Sequence, residues 1–147
     1  MKAEFLTVLE TRDLDEKNYC LTSPLVYRSI LLGGKVTVPK GFLCDGSSVP
    51  RVPIAFLLYG GTQKKSGTLH DFFYRVPGHR IEIENEQTGK MSLLTVPKSL
   101  ADSVFKEAMS SGGKYSWFTT YGMWLGVVVG GFSSWRTGES RFQIVSV

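Results

Sequence analysis

The feature that most constrains this chain is that its β-forming runs come first. Phe5-Leu-Thr-Val-Leu9, Asn18-Tyr-Cys-Leu-Thr22, Val26-Tyr-Arg-Ser-Ile30 and Lys35-Val-Thr-Val38 are rich in β-branched and aromatic residues. Turn formers at Asp13 to Asp15, Ser23-Pro24 and Gly33-Gly34 separate them. Residues 1–38 therefore predict an antiparallel β region. Pro39-Lys-Gly-Phe-Leu-Cys-Asp-Gly-Ser-Ser-Val-Pro50 is too rich in Gly and Pro for a regular element and too apolar at its flanks for a floppy linker, so 39–51 reads as an ordered loop.

Helical patterns dominate the rest. Arg51 to Tyr59 predicts a short helix ended by Gly60-Gly61, and 64–75 a helix bearing His70-Asp71. Arg80-Ile-Glu-Ile-Glu84 and Met91-Ser-Leu-Leu-Thr-Val96 flank Asn85-Glu-Gln-Thr-Gly89, which predicts a hairpin over 80–96, an excursion between two helices. Pro97 opens a second helix over 97–111, stopped by Gly112-Gly113. A third, apolar and Gly-rich, is expected over 115–135, and Phe142 to Val147 returns as a strand. The fold class is α+β: an N-terminal antiparallel β region, then a mainly helical half with an inserted hairpin. At 147 residues, 1–147 reads as a single domain.

Charge and cysteine usage narrow the function classes. The net charge of +4 is scattered among acidic residues with only Lys64-Lys65 adjacent, which lacks the basic stripe of a nucleic-acid binder. Cys20 and Cys44 have no Cys-x-x-Cys spacing and read as reduced, partly buried thiols. The start, Met1 to Glu10, alternates like a strand and carries an acidic residue where an export signal needs an unbroken apolar run. Tyr115 to Trp135 is uncharged and long enough to span a bilayer, with Gly122, Gly126 and Gly130 at four-residue spacing. Its Ser and Thr content favours a buried helix over a membrane span.

One constellation can carry chemistry. On a helix, His70 and Asp71 sit about 100° apart, so both can border one cleft, and Tyr74 follows on the same side. Asp102 shares a face with Phe105 and Met109, which sets a carboxylate on an apolar surface where it needs a partner. A histidine from a neighbouring helix suits it: the carboxylate fixes the tautomer and leaves the other ring nitrogen as a base. The same cluster can equally tie two helices together without chemistry. Asp45 reads as a further metal ligand or as a helix cap together with Ser47. Ser48 lacks a Gly-x-Ser-x-Gly elbow, Cys44 reads as a small buried side chain, and His79 beside Pro77-Gly78 as a solvent-facing residue.

His70-Asp-Phe-Phe-Tyr74 resembles the His-Asp-x-x-Tyr helix of the secretory and parvovirus-capsid phospholipases, in which a second helix supplies an Asp. The resemblance implies His70 as general base, Asp71 as ligand of a calcium ion, and Tyr74 with Asp102 as the groups that orient the imidazole. The glycine-rich calcium loop and the disulfides of that family are not evident in this sequence.

A second resemblance covers roughly Val38 to Trp135. The run Val38 to Arg51, then Leu69-His-Asp-Phe-Phe-Tyr74, then Ala101-Asp-Ser-Val-Phe-Lys-Glu-Ala-Met109, is similar to the domain-of-unknown-function family 1353 of tailed phages and prophages, with Cys44 where that family usually shows Thr. It implies a viral origin and a place in the virion or the host cytoplasm. Two functions follow as expectations. One is a hydrolase acting on a phospholipid ester or a cell-envelope bond. The other is a non-catalytic component of tail, baseplate or neck that contacts other phage structural proteins or copies of itself.

Overall fold

The computed structural model describes residues 1–16, 18–45, 61–111, 124, 128, 135–136 and 142–147, with backbone only for Asp45 and residues 61–63. Among the described residues, two antiparallel sheets and two long helices form an α+β fold. The strands are β1 (Glu4–Phe5), β2 (Thr11–Asp13), β3 (Asn18–Leu21), β4 (Leu25–Ser29), β5 (Gly34–Val38), β6 (Leu43–Asp45), β7 (Arg80–Glu84) and β8 (Met91–Thr95). Helix α1 spans Gly61–Arg75 and α2 spans Lys98–Ser111.

The five-stranded sheet has the order β1-β4-β5-β7-β8. Alternation decides its faces: Leu25, Tyr27 and Ser29, Val36 and Val38, and Ile81 and Ile83 turn inward and are buried. The outer face carries Glu4, Arg28 and Glu86 in one ion-paired group, and Lys35 with Glu84 in another. The β7–β8 hairpin is therefore no excursion. Its Arg-Ile-Glu-Ile-Glu alternation supplies a half-buried strand that pairs with β5 through Lys35 to Glu84 and Val36 to Ile83. Gly34 permits that approach, because a Cβ there would lie 2.5 Å from the Glu84 carbonyl oxygen.

The second sheet, β2-β3-β6, also departs from expectation in two places. Thr11–Asp13, whose Asp13 reads as a turn former, pairs with β3 instead. Within 39–51, Leu43–Asp45 is a strand and no loop, because Asn18, Tyr19 and Cys20 offer it a paired edge that local Gly and Pro content does not reveal. Gly41, at a positive φ of 85° and packed against the Val145 carbonyl, turns the chain into that strand. The C-terminal segment then adds a single antiparallel bridge, Phe42 to Ile144, rather than a full strand. The expected helix over 51–59 lies outside the described residues, as does most of that over 115–135, where Trp124, Val128 and Trp135 are helical, as is the following Arg136. No helix among the described residues is long and apolar enough to cross a membrane.

The helices lie against the inner faces. Helix α2 buries Ala101, Asp102, Val104, Phe105, Ala108 and Met109, the stripe that a 3.6-residue period predicts. Its Glu107 accepts hydrogen bonds from the Tyr27 hydroxyl (3.0 Å), the Ser29 hydroxyl (2.7 Å) and the Leu31 amide (3.1 Å), which fastens the helix to β4 and its turn. Helix α1 is different: from Ser66 to Arg75 it is buried on every side. A helix so placed is usually apolar all round. This one carries Ser66, Thr68, His70, Asp71 and Arg75, each of which needs a polar partner inside the protein.

Candidate active site

The polar residues of α1 fall into two stripes. His70 and Tyr74, four residues apart, face α2. Thr68, Asp71 and Arg75, at spacings of three and four, face β3 and β6. The consecutive pair His70-Asp71 is thereby divided between two neighbours and does not border one cleft.

Toward α2, three donors converge on Asp102. His70 Nε2 lies 3.0 Å from Oδ1, the Tyr74 hydroxyl donates to the same oxygen at 2.6 Å, and Lys98 Nζ donates to Oδ2 at 2.7 Å. The Lys98 ammonium also donates to the Val128 carbonyl at 3.1 Å. Burial alone would push the Asp102 carboxyl up, but the hydrogen bonds from His70, Lys98 and Tyr74 outweigh it and hold the group below the usual carboxylate range. An ionised Asp102 takes the Nε2 proton as its hydrogen bond, which in a neutral ring makes Nδ1 the acceptor. Burial, reinforced by Asp102, pushes the Tyr74 hydroxyl far up, so it acts as a donor throughout the accessible range.

Aromatic contacts hold the imidazole in place. The His70 ring centroid is 4.1 Å from that of Tyr74 and 4.8 Å from that of Phe105. Tyr74 meets Trp135 edge-on at 5.1 Å, and Trp135 stacks on His79 at 3.6 Å and 8°. His79 is consequently not a solvent-facing loop residue. It is half-buried, its Nδ1 is 3.1 Å from the Phe73 carbonyl oxygen, and its φ of 51° is the only positive value at a non-glycine position among the described residues.

Toward the small sheet, Arg75 Nε lies 3.2 Å from Asp71 Oδ1, and Arg75 also donates to the Leu43 carbonyl of β6 at 3.0 Å. Thr68 donates to the Lys64 carbonyl at 2.8 Å, so the Tyr19 hydroxyl 2.9 Å away donates to Thr68. Cys44 faces this cluster from β6, opposite Tyr19. Burial, then the nearby Asp71 charge, pushes its thiol far up, which keeps it protonated and unreactive. Cys20 sits opposite Leu43, on the other face of the strand pair, so the two buried cysteines are free thiols on opposite sides of one sheet.

The expected calcium ligand does not fit this arrangement. Asp71 is 5% exposed and faces a guanidinium, whose charge opposes a second cation, whereas calcium takes six to eight oxygens. The backbone of Asp45 pairs with Asn18 in β6, and its side chain, like Ser47 and Ser48, lies outside the described residues. Among the described residues no group of three or more His, Cys, Asp or Glu side chains is placed to hold a metal ion.

Sequence reasoning brought together His70, Tyr74 and Asp102 and missed Lys98 and Arg75. Both were legible as partners four residues from Asp102 and Asp71 on the same helices. The stacking of Trp135 on His79 had no such signal, because it joins residues 56 positions apart on unrelated local patterns.

No curated protein and no solved structure matches the chain. Residues 19–127, which hold both polar stripes of α1, the three ordered motifs, and Lys98, match the family model described as "Protein of unknown function (DUF1353)", and the chain belongs to that family.

Proposed function

We propose that this chain is a phage protein, associated with the virion at tail, baseplate or neck, that hydrolyses an ester bond with His70 as general base. The observation that carries the reading is the shared acceptor: His70 Nε2 and the Tyr74 hydroxyl both meet Asp102 Oδ1, in a buried setting. That geometry fixes one tautomer and directs the basicity of the ring to Nδ1. In the reaction, Nδ1 takes a proton from water as its oxygen attacks the ester carbonyl. The imidazolium, stabilised by Asp102, then returns a proton to the leaving alkoxide, so acid, alcohol and neutral enzyme result. Phospholipid and cell-envelope esters are the proposed substrate classes. The phage setting rests on the resemblance of the three ordered motifs to chains of tailed phages and prophages.

The test is ester release from phospholipid vesicles and from 4-nitrophenyl esters, with calcium and with chelator. His70→Ala should lower the rate by about 10²–10⁴-fold. Equal background rates for wild type and His70→Ala sink the proposal. Mass spectrometry of purified particles decides whether the protein is packaged.

A second reading is favoured by one observation: the His70 side chain is 4% exposed and packed between Tyr74 and Phe105. On that reading the cluster is a polar clamp between α1 and α2 in a non-catalytic virion component. It gains if His70→Ala lowers stability by several kcal/mol and leaves infectivity per folded protein intact.

A further inference from the structure

We propose that Lys98 is a positioning residue that sets the charge of the dyad: its ammonium, held between Asp102 Oδ2 and the Val128 carbonyl, lets His70 face the carboxylate as a neutral Nε2–H imidazole rather than as an imidazolium. The functional consequence rests on the base role proposed for His70, while the charge assignment stands on geometry alone.

A buried carboxylate needs a positive partner. Asp102 is 1% exposed, and among the described residues two groups can supply that charge: His70 at 3.0 Å from Oδ1 and Lys98 at 2.7 Å from Oδ2. Lys98 is the nearer, lies on the same helix four residues back, and brings an ammonium, a compact point charge that only donates. It is anchored on its far side by the Val128 carbonyl. With Asp102 balanced from Oδ2, nothing requires a second proton on the imidazole.

The surroundings of His70 agree. From α1 it meets the neutral hydroxyl-bearing Tyr74; from α2 it meets Asp102, with Lys98 behind that carboxylate, and the apolar Phe105. Asp71 and Arg75, the buried charges of α1, form their own pair on the opposite stripe, and Lys64 and Lys65 lie at least five residues before His70. His79 stacks on Trp135, which in turn meets Tyr74 edge-on. Among the described residues Lys98 is therefore the cation that stands against Asp102 when His70 is neutral. Remove it, and the carboxylate recruits its charge from His70, which turns a proton acceptor into a group already protonated.

The experiment is long-range proton–nitrogen correlation on the full chain labelled at imidazole nitrogen, recorded at pH 7 for wild type, Lys98→Met and Lys98→Arg. Wild type should show one protonated and one bare His70 nitrogen, with Nε2 the protonated one. Lys98→Met should show both nitrogens protonated, with loss of the second proton displaced by about tenfold or more in proton concentration, and Lys98→Arg should restore the wild-type pattern. An unchanged His70 spectrum in Lys98→Met overturns the proposal. So does a wild-type His70 that is doubly protonated at pH 7, a result that stands even if Lys98→Met fails to fold. An inactive wild type whose His70 responds as described removes the hydrolase reading and keeps this one; an active wild type with an unresponsive His70 does the reverse.

Discussion

Helix α1 carries two buried polar clusters that begin at adjacent residues and differ in kind. On one stripe His70 joins Tyr74, Asp102 and Lys98, a set that crosses from helix to helix and centres on an imidazole and a carboxylate. On the other, Asp71 and Arg75 form an ion pair within one helix, and Arg75 reaches the carbonyl of Leu43 in β6. The difference teaches that a His-Asp dipeptide is not a unit of function. A rotation of about 100° per residue sends consecutive side chains to different neighbours, and the neighbours decide what each can do. The first cluster is the one proposed to act as a base with its orienting groups. The second has the chemistry of a rivet.

The contrast breaks most visibly if the rivet is removed. Arg75→Met removes the guanidinium that faces the buried Asp71 carboxylate and should cost about 3–5 kcal/mol of unfolding free energy, measured by urea denaturation. Asp71→Ala combined with Arg75→Met should recover part of that loss, because both charges of the pair are then gone. In the double variant the His70 imidazole signals should stay in place. A loss below about 1 kcal/mol for Arg75→Met would mean that the pair behaves like a surface contact, and the distinction between the clusters would lose its energetic half.

Asp102→Asn attacks the other cluster and should cost somewhat less, about 2–3 kcal/mol. It keeps the shape of the side chain but removes the charge on which three donors converge. Lys98, at 11% side-chain exposure, regains some water, which moderates the cost relative to Arg75→Met. If Asp102→Asn costs the more of the two, the helix–helix cluster is the principal anchor of α1.

How far the sequence revealed these clusters depends on how local each contact is. The Asp102 stripe, the hairpin and both helices follow from periods of 3.6 and 2 and from Pro97, all of which act within a few residues. The pairing of β6 with β3 joins Cys44 to Tyr19 across an intervening hairpin, and no local pattern announces an edge waiting there. The same holds for the β5–β7 pairing, which turns an apparent excursion into part of the main sheet. Within the candidate site, the residue types that suggest a base were visible from sequence. The direction in which Asp71 points was not, because it follows from which element covers that side of α1.

Acidification should distinguish the clusters through Asp102. Its folded-state carboxyl is depressed, so its contribution to stability is full above the unfolded value, about pH 4, and is lost as pH falls through the lower folded value. Wild type should therefore show a stability loss below about pH 4 that is missing from Asp102→Asn, read as the urea midpoint against pH. The loss is smaller than that of the substitution itself, because protonation leaves the hydrogen-bonding oxygens in place. An identical acid slope in the two proteins would place the acid sensitivity elsewhere.

Tyr74→Phe is the mildest probe and the sharpest. It deletes one hydroxyl, 2.6 Å from Asp102 Oδ1, and leaves a ring that can keep its packing against His70 at 4.1 Å and Trp135 at 5.1 Å. A hydrogen bond to a charged acceptor contributes about 1.5–3 kcal/mol, and the low end applies because His70 and Lys98 continue to satisfy the carboxylate. The same deletion removes one of the donors that depress Asp102, so the acid limb of the stability curve should move to higher pH. The two effects come from a single atom and are measured in one denaturation series. A stability loss without the acid shift would show that the Tyr74 hydroxyl packs beside Asp102 without stabilising its charge, and the orienting role that separates this cluster from the Asp71–Arg75 pair would then belong to Lys98 and His70 alone.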